Sequence, residues 1–175
     1  MSSQGIDKPA ASPADLLSEQ TRATIDHWLG KFPDDQAGRR SALIQALFAA
    51  QQQNGGWLSE QLMDAVADYL QLPPVWAYEV ANFYSMLETR PVGRHSVSIC
   101  TNTSCMLCGA DELVEHVENK LGIKLGESTA DGRIFLKIEE ECVAACTGAP
   151  MMVVDGHYHE NLTLEKVDEI LDGLA

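Results

Sequence analysis

The sequence predicts an α+β fold, a small N-terminal helical bundle followed by a mixed helix-and-strand domain. Three observations carry this. Over the first half, apolar residues recur three and four apart, in short runs broken by Asn54-Gly55-Gly56 and Leu72-Pro73-Pro74. From Arg94 onward, short alternating runs are interleaved with helical ones. Four of the five cysteines of that second half fall in two close pairs, each beside a strand end.

Composition narrows what the chain can do. Its 175 residues suffice for one domain with a helical extension, and its 45% hydrophobic content supports a core. Asp and Glu number 26 against 12 Lys and Arg, a net charge of −14. That charge argues against binding nucleic acid and against an anionic membrane surface. Solubility, or a basic partner within a complex, accounts for it. Met1 to Pro13 has no apolar run and one basic residue, Lys8, so neither a secretory signal nor a transit peptide is expected. No stretch approaches the ~20 apolar residues of a membrane span. A bacterial-type cytosolic protein without direct membrane insertion is the expectation, and cysteines there read as metal-binding or catalytic before disulfide-forming.

In chain order, residues 1–12 are small and polar and are expected to be disordered. Ser12-Pro13-Ala14-Asp15 reads as a helix start, with Ser12 as cap, and the helix carries Leu16, Leu17, Ile25, Trp28 and Leu29 as far as Gly30. A second helix is expected from Ala37 to Gln53, with Leu43, Ile44, Leu47 and Phe48 on one face. A third runs from Ser59 to Leu70 with Leu62, Val66 and Leu70 four apart, and a fourth starts at Pro73-Pro74 and ends near Phe83. Residues 13–88 thus form a four-helix domain. Trp76, Tyr78, Phe83, Tyr84 and Met86 read as core or docking surface.

Residues 89–175 form the second domain. Arg94 to Cys100 reads as a strand with Val97 and Ile99 alternating. A single helix is expected from Thr103 or Ser104 to Leu121, with Leu107, Ala110, Val114, Val117 and Leu121 inward and Gly122 ending it. Asp131-Gly132 turns into a strand over Arg133 to Ile138. Met151 to Val154 and His157 to Glu160 form a hairpin about Asp155-Gly156. Thr163 caps a last helix, with Leu162 and Val167 as a hydrophobic staple and Val167, Ile170, Leu171 and Leu174 inward. The order β-α-β, then β-β-α, is that of a thioredoxin-like core, the first unit being a right-handed crossover.

The first cysteine pair is Cys100-x4-Cys105, between strand end and helix start; the second is Cys142-x3-Cys146, followed by Thr147-Gly148-Ala149-Pro150. Several chemistries compete for them. Cysteines packed as small hydrophobes are common singly, but not as close loop pairs. Cys105-x2-Cys108 has zinc-ribbon spacing, but the distal pair is C-x3-C. The same Cys105-x2-Cys108 at a helix start could serve thiol–disulfide exchange, which leaves Cys142 and Cys146 idle. Cys100-x4-Cys105-x2-Cys108 with a distant cysteine has plant-type ferredoxin spacing, but places Cys108 in the first turn of a continuing amphipathic helix. Two pairs, four soft thiolates, suit a [2Fe–2S] cluster, and the nearby helix start and Gly109 and Gly148 permit close backbone approach to an anionic group.

At this point the chain resembles the 24-kDa-type [2Fe-2S] subunit of respiratory complex I, the E subunit of bacterial NADH:quinone oxidoreductase. The resemblance lies in the C-x4-C and C-x3-C pairs, in Asn82-Phe83-Tyr84-Ser85 leading to Arg90-Pro91-Val92-Gly93-Arg94-His95, in Asp131-Gly132-Arg133-Ile134-Phe135 and in Gly148-Ala149-Pro150-Met151-Met152-Val153. It covers nearly the whole chain from Leu16. It implies that Cys100, Cys105, Cys142 and Cys146 ligate one [2Fe-2S] cluster in a thioredoxin-like ferredoxin domain. It also implies that the helical half docks on a flavoprotein subunit carrying FMN, the NADH site and a further iron–sulfur cluster, so that NADH dehydrogenase chemistry belongs to the partner and this chain has no catalytic residue of its own. The complex would sit on the cytoplasmic side of the inner membrane. Related subunits occur in NAD-linked hydrogenases and formate dehydrogenases, so the diaphorase of such an enzyme is the near alternative; a stand-alone thiol–disulfide oxidoreductase or a zinc module is the alternative of another class.

Cys108 reads as a spare thiol. His157 and His159 share a strand face but lack a third ligand, and read as solvated. Arg90 and Arg94 read as solvated too. Pro150 stands where thioredoxin-like folds often have a cis proline.

Overall fold

A computed structural model describes residues 13–138, 142 and 144–175. The disorder expected for residues 1–12 lies outside the described residues. The chain divides into two compact units between Arg90 and Pro91.

The first unit holds α1 (Glu19–Leu29), α2 (Gln36–Gln53), α3 (Glu60–Tyr69) and α4 (Pro74–Phe83). Three of these starts are fixed by side chains accepting an orphan helix N–H: Ser18 from Thr21, Asp35 from Gly38 and Ser59 from Leu62. Helix α4 instead begins with proline at its first position, where no N–H is needed. The first start corrects the expectation. Pro13–Leu16 forms a separate 3-10 turn, and Ser18 rather than Ser12 opens α1. Leu17, Ile25, Leu43, Leu47, Leu62, Val66 and Leu70 are buried in one core, with alanines of α2, α3 and α4 between them. Trp76, Tyr78 and Tyr84 pack on that core, whereas Phe83 and Met86 are exposed.

The second unit is built on a five-stranded sheet: β1 (His95–Ile99), β2 (Glu127–Ser128), β3 (Ile134–Leu136), β4 (Met152–Val154) and β5 (His157–His159), in the spatial order β2-β3-β1-β4-β5. Strand β1 runs parallel to β3, with Val97 opposite Leu136, and antiparallel to β4, with Ile99 opposite Met152. The β4–β5 hairpin turns through Asp155 (φ 50°) and Gly156 (φ 82°), as a two-residue turn of the I′ kind requires. Strand β2 was not expected; two residues are too few to leave a period.

The expected single helix over residues 103–121 is two. Helix α5 (Thr103–Leu107) is capped by Asn102, and Cys108 and Gly109 separate it from α6 (Ala110–Leu121). Gly109 has φ 90°, a left-handed conformation that turns the chain between the two. The break takes Leu107 out of the predicted inward face: it is 77% exposed. Leu113 and Val117 of α6, with Val167 and Leu171 of α7 (Leu164–Asp172), cover the strand residues Val97, Ile134, Leu136, Met152 and Val154. Gly122 (φ 68°) ends α6, Thr163 caps α7, and Leu162 and Val167 are buried together as a staple requires.

Residues 171–175 are tied to the end of the sheet at which the central strand β1 begins. Arg133 Nη1 donates to Leu171 O at 3.1 Å and to Leu174 O at 2.9 Å. Arg94, expected to be merely solvated, donates to Ala175 O at 3.0 Å. His95 bridges Asp155 Oδ2 (Nδ1, 2.7 Å) and Ala175 O (Nε2, 3.0 Å). The Asp155 hydrogen bond holds the His95 pKa above its ordinary value, helped by the Ala175 carbonyl and opposed by burial and by the charge of Arg94. The folded chain therefore keeps this proton more tightly than the unfolded one. The stabilisation is complete below 6.5, the ordinary imidazole value, and is lost as pH rises through the folded-state value. His95→Gln is accordingly expected to destabilise the second unit more at about pH 6 than at about pH 9. Urea unfolding at the two pH values checks this; an equal effect at both would show that the imidazole charge contributes nothing.

Candidate metal centre

Cys100 follows directly on β1, the central strand, and its backbone N–H donates to Met151 O at 3.1 Å. The strand's ladder therefore extends one residue and fixes where the first thiol starts. Asn102 Oδ1 accepts from Thr103 N at 3.0 Å, turning the chain into α5 and carrying Cys105 back over the strand end. Both thiols are buried, Cys105 at 2% exposure, in a small cluster with Ala110 and Met151.

The Cys105 thiol is pushed up to about 11, first by burial, then by its hydrogen bond with the Cys100 side chain. The Met151 backbone hydrogen bond pulls it back, and the charges of Cys100 and Cys146 raise it further. Cys105 thus feels thiols from both loops.

The second loop carries Cys142 and Cys146, with sulfurs 3.9 Å apart. Residues 139–141 and 143, which flank Cys142, lie outside the described residues. Cys146 opens a 3-10 turn to Gly148, closed by Gly148 N–H donating to Ala145 O at 3.0 Å. The Ala149–Pro150 peptide bond is cis. Ala145 and Ala149 pack against the cluster of Cys100, Cys105 and Met151, so the second loop lies on the first.

All five thiols are free. Cys108, at the end of α5, is exposed, unlike Cys105 three residues before it. It does not lie inside the first turn of one continuing helix, so that ground for setting aside the plant-type spacing fails. Burial sets Cys100 and Cys105 apart from the other three, since Cys108, Cys142 and Cys146 are all exposed; the close approach of the Cys142 and Cys146 sulfurs, 3.9 Å, is what favours those two over Cys108. His157 is exposed on the edge strand β5.

The donor set fits an iron–sulfur group. Two thiolates on one tetrahedral metal, at bonds of about 2.3 Å, stand about 3.8 Å apart, close to the Cys142–Cys146 separation. Among the described residues, no three thiol, imidazole or carboxylate groups converge on one point.

The small mixed sheet with helices packed on it is a thioredoxin-like core, with the two cysteine pairs on loops beside the end of its central strand. The chain belongs to the thioredoxin-like [2Fe-2S] ferredoxin family, whose model matches residues 25–175. Among its relatives are E subunits of NADH-quinone oxidoreductase. The chain is 44% identical over 144 residues to that subunit of Rickettsia bellii (strain RML369-C), covering 82% of this chain and 84% of the relative. It is 40% identical over 161 residues to the mitochondrial NADH dehydrogenase [ubiquinone] flavoprotein 2 of Dictyostelium discoideum, covering 92% of this chain and 64% of that one. In fold it is similar to a chain of the NAD+-reducing [NiFe]-hydrogenase in the air-oxidized state, with a TM-score of 0.63 and 23% identity over 73% of this chain and 22% of that one.

Sequence reasoning misjudged one residue of this region, reading it as room for close backbone approach, and passed over another. Gly109 separates α5 from α6, and its signal was the glycine itself, inside a run read as one helix. Glu160 lies against Gly148, and a contact twelve positions away leaves no local pattern.

Proposed function

We propose that this chain is the electron-transfer subunit of an NADH:quinone oxidoreductase, the E subunit, with Cys100, Cys105, Cys142 and Cys146 as ligands of one [2Fe-2S] cluster. The observation that carries the reading is the meeting of two thiol pairs at the end of β1 in a chain 44% identical to such a subunit. The partner is a flavoprotein subunit holding FMN and the NADH site, and the complex lies on the cytoplasmic side of the inner membrane. Among the described residues no helix is long and apolar enough to cross a membrane.

When bound, the cluster supplies reversible acceptance of a single electron. The protein's residues do the rest. Backbone bonding of Cys100 to Met151 and capping by Asn102 set the first thiol pair, and the Cys146–Gly148 turn sets the second. Cys105 must shed its proton to ligate, and its pKa of about 11 makes that release part of cluster uptake. The chemistry on NADH belongs to the partner's flavin.

Electron paramagnetic resonance on anaerobically purified chain tests the reading. A silent oxidised state, a spin-half signal after dithionite, and about two irons and two labile sulfides per chain are expected. Failure of anaerobic reconstitution, with stoichiometric zinc or a reducible disulfide in its place, would overturn it.

A further inference from the structure

The second cysteine loop is overlaid by the segment that follows β5. An alanine Cβ at Gly148 would stand 2.5 Å from Glu160 Cδ, 2.6 Å from its Cβ and 2.7 Å from its Cγ. The whole Glu160 side chain, not only its tip, therefore lies over the turn that begins at Cys146. The overlay is held on both sides of the turn. Asn161 N–H donates to Gly148 O at 2.7 Å, and Leu162 N–H donates to Pro150 O at 3.0 Å. Leu162 is itself buried with Val167 in the core of the second unit. Glu160 thus hangs from an anchored strap, and its carboxylate is brought to the loop by backbone bonds and a packed leucine.

We infer that Glu160 is a positioning residue whose carboxylate, laid across the Cys146–Gly148 turn, lowers the reduction potential of the cluster held by the adjacent cysteines. The inference rests on the proposed reading of those cysteines as ligands. Reduction adds a negative charge to a site already negative from its thiolates and sulfides. A carboxylate fixed beside it opposes that addition through a Coulomb term that the water around the exposed Glu160 partly screens. Gly148 is part of the device, since any side chain there would occupy the space Glu160 fills. Nothing in the Cys142-x3-Cys146 motif itself would predict this charge.

The test is a redox titration of the full chain, followed by electron paramagnetic resonance, with iron and sulfide assayed on each sample. Glu160→Gln is expected to keep the cluster and shift the midpoint to more positive potential. Glu160→Asp keeps the charge and is expected to stay nearer the wild type. Glu169→Gln, on α7 and also exposed, is a control for net charge and is expected not to shift it. The difference between Glu160→Gln and wild type should shrink as salt is raised. If Glu160→Gln titrates like wild type, if the Gln and Asp variants shift equally, or if both lose the cluster, the charge is not the agent and the inference falls. Wild-type chain that takes up no cluster on anaerobic reconstitution would overturn the ligand reading itself, and this inference with it.

Discussion

Cys142→Ser is expected to lose or cripple the cluster, with iron falling from about two per chain to near zero after anaerobic gel filtration, whereas Cys108→Ser is expected to retain it. The structure gives the contrast its physical basis. Cys142 stands 3.9 Å from Cys146, a separation suited to two thiolates on one tetrahedral iron. Serine in its place offers a hard, weakly acidic oxygen where iron prefers soft sulfur. Cys108 and Cys142 are both exposed, so the contrast rests on the paired sulfurs of Cys142 and Cys146, not on burial. The visible spectrum, labile sulfide and paramagnetic signal of the two variants side by side check the assignment. Loss of the cluster in Cys108→Ser, with survival in Cys142→Ser, would exchange the two residues and restore the plant-type ligand set.

Gly93→Ala is expected to destabilise the second unit by about 3 kcal/mol or more, at the upper end of overpacking costs. An alanine Cβ there would lie 2.6 Å from Ile134 C, 2.7 Å from Phe135 N and 2.9 Å from Ile134 O. Those are backbone atoms at the start of β3, which cannot rotate away as a side chain can. Gly93 N–H also donates to Ser128 Oγ at 3.0 Å, so retreat of the chain would break a hydrogen bond to β2. Because β1 begins two residues later and ends at Ile99, just before Cys100, its displacement would reach the first cysteine pair. Urea unfolding of the variant, with cluster content measured beforehand, checks the prediction. An unchanged midpoint would show that β3 yields at this point.

Much of the fold follows from short-range signals. Apolar spacing located α2 and α3 to within a residue or two, because each helix buries one regular stripe: Leu43 and Leu47 in α2, and Leu62, Val66 and Leu70 at and beyond α3; Pro73-Pro74 located the start of α4. Asp155-Gly156 announced the β4–β5 hairpin, because only such residues accept two successive left-handed conformations cheaply. Errors arose where local signals competed. Ser12-Pro13 and Ser18 both look like helix starts, and only the hydrogen bond from Thr21 N–H to Ser18 selects between them. The run from Thr103 to Leu121 looks like one helix until Gly109 adopts φ 90°.

The sequence by itself determined the chemistry available to this protein: two close cysteine pairs, a helical half, a β-α-β and β-β-α half, and the family to which they belong. These are local or linear properties, carried by spacing, periodicity and turn residues. Tertiary structure decided how the thiols differ. Cys105 is buried, and burial first and its hydrogen bond with Cys100 second push its thiol up, whereas Cys108, Cys142 and Cys146 are exposed, and Glu160 is carried onto the loop of Cys146 by a strap anchored at Leu162. Burial, electrostatic neighbourhood and contacts across many residues depend on which surfaces meet when the chain folds, and a linear pattern does not contain them.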